Sequence, residues 1–206
     1  VTVPGARGYP DRDTHVTDAR VRLAASARAL IDAVMTAHSV DDTSMTDAAA
    51  QLDTITALLR DEHDASPAEM PHSERRHRDY VPRSPLVGVV SPLAPAATWE
   101  YRDGALEILC TFGAPYEGPP GAVHGGFVAL AFDELLGMVS ALSGEGGLTG
   151  KLTIRYRALT PLCEPLRLTG WVDHREGRRM TARGTIHAGE RLTAEAEGLF
   201  VRPQGR

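Results

Sequence analysis

The sequence predicts an α+β domain in which an antiparallel sheet of about six strands curls round one long helix, preceded by an N-terminal helical extension. Three observations carry that expectation. Gly125 to about Ser143 is apolar on nearly every face, interrupted only by Asp133 and Glu134, and a helix without a polar face must be surrounded by protein. The segment after it, Leu148 to Arg157, alternates cleanly with a period of two. The strand-like segments that follow are joined by turns too short for a crossover, so they must run antiparallel.

The elements follow in order. At 206 residues the chain suits one domain with an extension and is too short for two full-sized ones. Residues 1–64 form the extension. Its first 18 residues are polar, hold Pro4, Gly5, Gly8 and Pro10, and are expected to fray. From Ala19 to about His38, Leu23, Ala27, Leu30, Ile31 and Val34 recur at helical spacing. A second helix fits Asp47 to His63, with Thr46 as N-cap and Leu52, Ile55, Leu58 and Leu59 on one face. Each has one apolar stripe, which must lie against the other helix, the main domain or a second subunit.

Residues 65–97 are a connecting segment. Six of the 14 prolines fall between Pro67 and Pro95, beside a polar block over residues 72–79. That density prevents long helices and central strands, so the segment is expected to pack along a surface. Residues 98–206 are the main domain. Thr98–Arg102 and Ala105–Phe112 form a hairpin round Asp103-Gly104, a strong turn dipeptide. A Gly/Pro loop, residues 117–121, leads into the central helix. After a glycine-rich turn, Leu148, Gly150, Leu152, Ile154 and Tyr156 alternate against Thr149, Lys151, Thr153, Arg155 and Arg157. Strands over about Leu166–Asp173, Met180–His187 and Leu192–Val201 complete the sheet.

The formal net charge is −5. Residues 1–64 carry all of it, with six arginines against eleven acids, and the rest of the chain is balanced. A nucleic-acid binder would show a basic stripe, so that class is set aside. Cys110 and Cys163 sit in apolar contexts and read as core thiols, and Trp99 and Trp171 as core side chains. His174 and His187 read as strand-end surface residues. No apolar run reaches the ~18 residues of a membrane span, and the first residues lack the order of a signal peptide. The expectation is a cytoplasmic protein with no membrane partner.

One arrangement points to chemistry: Gly121-Ala-Val-His124-Gly125-Gly126, then Asp133 inside the apolar helix. Glycines at a helix start let another molecule approach the backbone, where unpaired N–H groups suit a carbonyl oxygen becoming an oxyanion. The same glycines also serve a plain tight turn. Asp133 has Ala129, Leu130, Leu136 and Gly137 one turn away, so its carboxylate either lines a cavity, faces a partner, or satisfies a backbone group. Glu134 reads as its solvated neighbour. Nine residues separate His124 from Asp133, roughly 13.5 Å and 2.5 turns, which puts the acid far along the helix from Gly125 and on its opposite side. One subunit cannot aim both at a single atom. Two antiparallel helices about a twofold axis can, so a site here implies a dimer interface.

The run from Tyr116 to Asp133 (YEGPPGAVHGGFVALAFD) resembles the hotdog-fold acyl-CoA thioesterases, in particular the PaaI-like clade. The run Leu148–Leu162 (LTGKLTIRYRALTPL) is similar to the strand after their central helix, and the resemblance covers about residues 86–202. It implies a hotdog fold, a curved sheet wrapped round the helix, assembled as a homodimer or homotetramer. It implies that Gly125 gives its N–H to the thioester carbonyl and that Asp133 of the other subunit acts as nucleophile or general base. His124 and Thr149 would assist, and Gly126 would help admit the substrate. CoA would be part of the substrate, with no cofactor and no metal. Gly137 stands where some relatives carry a polar residue.

Arg157, Arg178 and Arg179 lie on the implied CoA route together with Arg155 and Arg175, and arginine forks hold phosphate well. Ordinary solvated turn charges explain them equally. Other chemistries lack their motifs. There is no Gly-x-Ser-x-Gly elbow, no dinucleotide loop opening a helix and no His pair at metal spacing on a helix. Met138 stands five residues after Asp133 where a hotdog hydratase would place His. The expected function is hydrolysis of an acyl-CoA thioester; the alternative is a non-catalytic acyl-CoA-binding hotdog protein, a sensor or carrier.

Overall fold

The computed structural model describes residues 16–61, 81–144 and 146–203. Two helices lead, α1 (Asp18–Thr36) and α2 (Asp42–Asp61), and a hairpin of β1 (Ala96–Arg102) and β2 (Ala105–Thr111) comes next. The central helix α3 (Gly125–Leu142) precedes β3 (Leu148–Tyr156), β4 (Leu166–Glu176), β5 (Arg179–Ala188) and β6 (Arg191–Val201). The six strands form one antiparallel sheet ordered β1-β2-β4-β5-β6-β3. β3, though it follows α3 directly, therefore ends up on the far edge beside β6. The hairpin turns at Asp103 and Gly104 with φ of 52° and 80°, the double left-handed step that a two-residue hairpin loop requires.

The sheet wraps α3. Leu106 and Ile108 of β2, Leu166 and Leu168 of β4, Ile186 of β5 and Phe200 of β6 meet Phe132, Leu135, Leu136 and Val139, all at most 1% exposed. Each such side chain contributes roughly 1.5–3 kcal/mol by leaving water. Paired glycines, Gly170 and Gly184, let the helix sit close, because a Cβ on either would stand 3.0 or 2.9 Å from Leu135 carbons. By length and composition α3 is long and apolar enough to cross a membrane, with 18 residues of mean hydropathy 1.5, so the sequence does hold one such stretch. Here the sheet covers one side of it. The other side is open within one chain.

The N-terminal elements differ from their expected bounds for local reasons. Thr17 Oγ1 accepts from Arg20 N at 3.3 Å and starts α1. α2 begins a turn before Thr46, because Asp41 Oδ1 takes Ser44 N at 3.0 Å and its Oδ2 takes the Ser44 hydroxyl at 2.8 Å. Those bonds stabilise the charged form and hold the Asp41 carboxyl below its usual range. Thr46 lies inside the helix, its hydroxyl donating back to Asp42 O. α1 touches the body through buried Ala24 and through Arg28 Nη1, which donates to Ser91 O at 2.9 Å. Leu23, Leu30, Val34, Met45, Ile55, Leu58 and Leu59 stay exposed, so the stripes on both helices lie open within one chain.

The connecting segment is described from residue 81; its polar block, like residues 1–15 and the expected end of α2 at His63, lies outside the described residues. What is described does more than follow a surface. Leu86 and Val87 enter the core. Fully buried Ser84 donates to Glu134 Oε2 at 2.6 Å while its oxygen takes Leu86 N and Val87 N, so Glu134 is a tether and not a solvated neighbour. Cys110 is buried, and burial pushes its thiol up to about 12. Cys163 is exposed, contrary to expectation, because it occupies a left-handed turn position at φ 59°. Trp171 is half-buried and on the convex face, opposite the face that carries Gly170, where Trp99 is buried in the core. His174 is exposed, whereas His187 is half-buried with its Nδ1 unpartnered among the described residues.

Candidate active site

The tip of α3 is built by the loop before it. His124 caps the helix at φ −59°, ψ 134°. Its Nδ1 accepts the Gly126 N–H at 3.0 Å, so the neutral ring carries its proton on Nε2. Its carbonyl accepts Phe127 N at 2.9 Å and Val128 N at 3.2 Å. Of the first four N–H groups of α3, Gly125 alone has no acceptor among the described residues. That N–H shares a peptide plane with the His124 carbonyl. Two bonds to the carbonyl therefore fix the direction of the N–H, outward along the axis at the positive end of the helix dipole. Such a donor, held in place before any ligand arrives, suits an oxygen gaining negative charge.

The loop itself is braced from behind. Glu117 Oε1 accepts Gly121 N at 2.8 Å, Gly118 N donates to Ala122 O, and His124 N donates to Tyr116 O. Gly118 lies so close to His124 that a Cβ there would stand 2.6 Å from the His124 Cα. Tyr116 stacks edge-on between Phe112 and Phe127, each at 5.0 Å, and its hydroxyl donates to Leu93 O. Burial raises the Tyr116 phenol above its ordinary range, against a smaller opposing effect of the Arg28 charge.

Asp133 is exposed on the open face of α3, which also presents Gly126, Ala129, Leu130, Gly137 and Ala141. Its Oδ1 accepts the Thr149 hydroxyl at 3.0 Å. The angular part of the expectation does not hold. Counting from His124 includes a residue outside the helix; within α3, Asp133 is seven residues from Gly126, almost two whole turns, and shares its face. The separation is axial, about 12 Å from Gly125 to Asp133 at 1.5 Å per residue. One protomer still cannot bring the Gly125 amide and the Asp133 carboxylate to one atom.

Thr149 reaches Asp133 because of a bulge. Strict alternation would place Thr149 with Lys151, away from Leu152, Ile154 and Tyr156. In the sheet Thr149 pairs Phe200 and Lys151 pairs Leu199, leaving Gly150 as an extra residue. Leu152, Ile154 and Tyr156 pair Gly198, Ala196 and Ala194. Directly opposed residues share a face, so Thr149 joins those three on the side of α3.

The expected substrate residues are not gathered in one place. Arg157, just beyond β3 and near the α3 tip, ion-pairs with Glu195 at 2.5 Å. Arg178 lies at the other end, in the β4–β5 turn beside Ser140 and Gly147 at the close of α3, and Arg179 opens β5 next to it. Arg178 Nη1 donates to Arg202 O at 3.1 Å. Among the described residues no group of three His, Cys, Asp or Glu stands close enough to hold a metal ion. Sequence reasoning missed Tyr156, which it took for an alternating strand residue; its hydroxyl donates to Gly125 O at 2.9 Å. It also missed Gly118, whose only signal was its place in a Gly/Pro loop.

The family model described as "Thioesterase superfamily" matches residues 120–195, from the loop before His124 into β6. Acyl-coenzyme A thioesterase THEM4 of Bos taurus is 33% identical over 98 residues, 46% of this chain and 40% of that protein. Acyl-coenzyme A thioesterase THEM5 of Homo sapiens is 32% identical over 100 residues, 47% of this chain and 40% of that protein. These matches thus span about two fifths of the length of either relative. A crystal structure of a thioesterase superfamily protein is 31% identical with a TM-score of 0.80, covering 97% of this chain and 98% of that one, the N-terminal helices included. A sheet wrapped round α3, with this likeness along the whole length, places the chain in the hotdog-fold thioesterase superfamily, to which it belongs.

Proposed function

We propose that the protein hydrolyses the thioester of an acyl- or aryl-CoA to free acid and CoA, working as a homodimer or larger homo-oligomer with its sites between subunits. The observation that carries this reading is Asp133: a carboxylate on an open, small-residue helix face, tied to Thr149, about 12 Å along the axis from an unpartnered Gly125 N–H. Antiparallel packing of two α3 helices sets each tip against the other's acid, and Gly126, Ala129 and Gly137 let the two backbones approach. The names of the relatives, acyl-coenzyme A thioesterases, support the same chemistry. The clade within the superfamily that fits best is the PaaI-like one, through His124-Gly125-Gly126 and Asp133.

In this reading the partner's Gly125 receives the thioester oxygen. Asp133 then attacks the carbonyl carbon, or takes a proton from a water that does. The carbonyl pair moves onto the oxygen, and its return expels the CoA thiolate. When water attacks, free acid forms directly and the proton on Asp133 passes to the thiolate, whereas direct attack leaves an Asp133 anhydride that a water then hydrolyses to free acid. A thioester is reactive enough that one placed carboxylate and one amide donor suffice. His124 shapes the tip and Thr149 holds the acid. Arg178 and Arg179 of one subunit stand at the end where the partner's tip would lie, and there face the CoA phosphates. Arg157, paired with Glu195, stands near the tip of its own helix. CoA enters only as substrate, with no cofactor, and the cytoplasm is the compartment that suits both CoA esters and unpaired thiols.

The test is turnover of an acyl-CoA panel by wild type and Asp133→Asn. Loss of about 10²-fold or more with an unchanged melting temperature is expected. Binding of CoA esters without turnover by the wild type would sink the enzyme reading in favour of a sensor or carrier.

A further inference from the structure

The end of β3 grips the same helix tip from the side. Tyr156 OH donates to Gly125 O at 2.9 Å, and its ring lies 3.6–3.7 Å from where a Gly125 Cβ would be. The strand end that carries Tyr156 is itself anchored. Thr193 O accepts both Arg157 N (2.8 Å) and Ala158 N (3.0 Å), and buried Thr160 and Thr193 share a hydroxyl bond of 3.0 Å. From the same segment, Thr160 O accepts Val123 N at 2.9 Å, Ala122 bridges Pro161, and Leu162 N donates to Gly121 O. Residues 156–162 therefore hold the chain on both sides of His124. The bulge at Gly150 gives β3 its second use, since Thr149 and Tyr156 are seven residues apart and reach the same face only through it.

We propose that Tyr156 is a positioning residue for hydrolysis: its hydroxyl, by holding the Gly125 carbonyl, locks the peptide plane between Gly125 and Gly126 and so keeps in place the helix tip whose Gly125 N–H receives the thioester oxygen. This rests on the acyl-CoA thioesterase reading. The two bonds to the His124 carbonyl set the plane that carries the Gly125 N–H, and the Tyr156 hydroxyl holds the plane on the other side of the Gly125 Cα, so the residue is held from both sides. An oxyanion donor acts through alignment more than through presence, so the effect belongs to kcat and not to substrate affinity.

The experiment is steady-state kinetics of Tyr156→Phe beside wild type and Asp133→Asn, with melting temperatures and CoA affinity measured on each. Tyr156→Phe keeps the ring and loses one oxygen on a side chain that is 55% exposed, so it folds. The expected result is kcat lower by about 5–10-fold, the weight of one hydrogen bond, with KM and CoA affinity within about twofold. Wild-type kcat in Tyr156→Phe, or a raised KM at unchanged kcat, overturns the assignment, the latter making Tyr156 a substrate contact. If Asp133→Asn turns over like wild type, the thioesterase reading itself has failed; if only Tyr156→Phe does, that reading stands and the role of Tyr156 does not. Tyr156→Leu, which keeps apolar bulk there without a hydrogen-bond donor, gives the same kcat and KM split should the Phe variant melt early.

Discussion

Thr149 Oγ1 donates to Asp133 Oδ1 across 3.0 Å, from an edge strand to the exposed face of the central helix. The bond leaves Oδ2 of the carboxylate for a water or a thioester carbon and keeps the side chain from swinging along the open face. Removing it leaves the charge in place and loosens its aim. Thr149→Val, which keeps the branched shape, is expected to lower kcat by about 10-fold, less than Asp133→Asn, with little change in melting temperature. Kinetics of the two single variants and the double variant check this: the double variant should match Asp133→Asn alone, because Thr149 acts through the acid.

The loop before α3 makes a steeper prediction. A Cβ on Gly118 would stand 2.6 Å from the His124 Cα, and backbone there cannot give way without moving the helix cap. A Cβ on Gly126 would meet His124 Nδ1 at 3.0 Å, a contact that the ring relieves by turning. Gly118→Ala should therefore lose both stability and turnover, about 1–3 kcal/mol by denaturant melts. Gly126→Ala should keep its stability, since alanine favours helix, yet lose turnover. Equal stability loss in both variants would contradict this account.

The long elements were legible because their signals are local. The unbroken apolar run fixed α3, and Asp103-Gly104 fixed the hairpin. Bulges leave no such mark: Gly150 looks like one more alternating residue, and only pairing with β6 shows that it is extra. Thr149 was therefore assigned through family resemblance to a site from which strict alternation would have turned it away. Tyr156 and Glu134 were illegible for a related reason, as each acts through a partner distant in sequence, Gly125 and Ser84. Exposure at Cys163 depends on a left-handed backbone step that no apolar neighbour announces.

Ser84 carries more than its size implies. Its hydroxyl gives its proton to Glu134 and accepts from two backbone amides in a place with no exposure. Ser84→Ala leaves Leu86 N and Val87 N without that acceptor, and urea melts should show a loss of about 2–3 kcal/mol. Glu134→Gln keeps a side-chain oxygen to accept the hydroxyl and should cost less. If Ser84→Ala melts like wild type, the segment over residues 84–88 is held by Leu86 and Val87 alone.

The two thiols should separate cleanly by environment. Cys163 is exposed and Cys110 is buried, its thiol pushed up to about 12 by loss of solvent. A disulfide reagent at neutral pH should label one thiol in the native protein quickly and the second only on unfolding; Cys163→Ser should remove the quick phase. Burial also sets a pH dependence. The folded state keeps the Cys110 proton that an unfolded chain sheds near pH 9, so this contribution is whole below pH 9 and is lost as pH rises toward 12. Cys110→Ala lowers stability at pH 7 through the cavity it leaves, yet should flatten the decline above pH 9. A decline equally steep in Cys110→Ala would assign the alkaline loss to other groups.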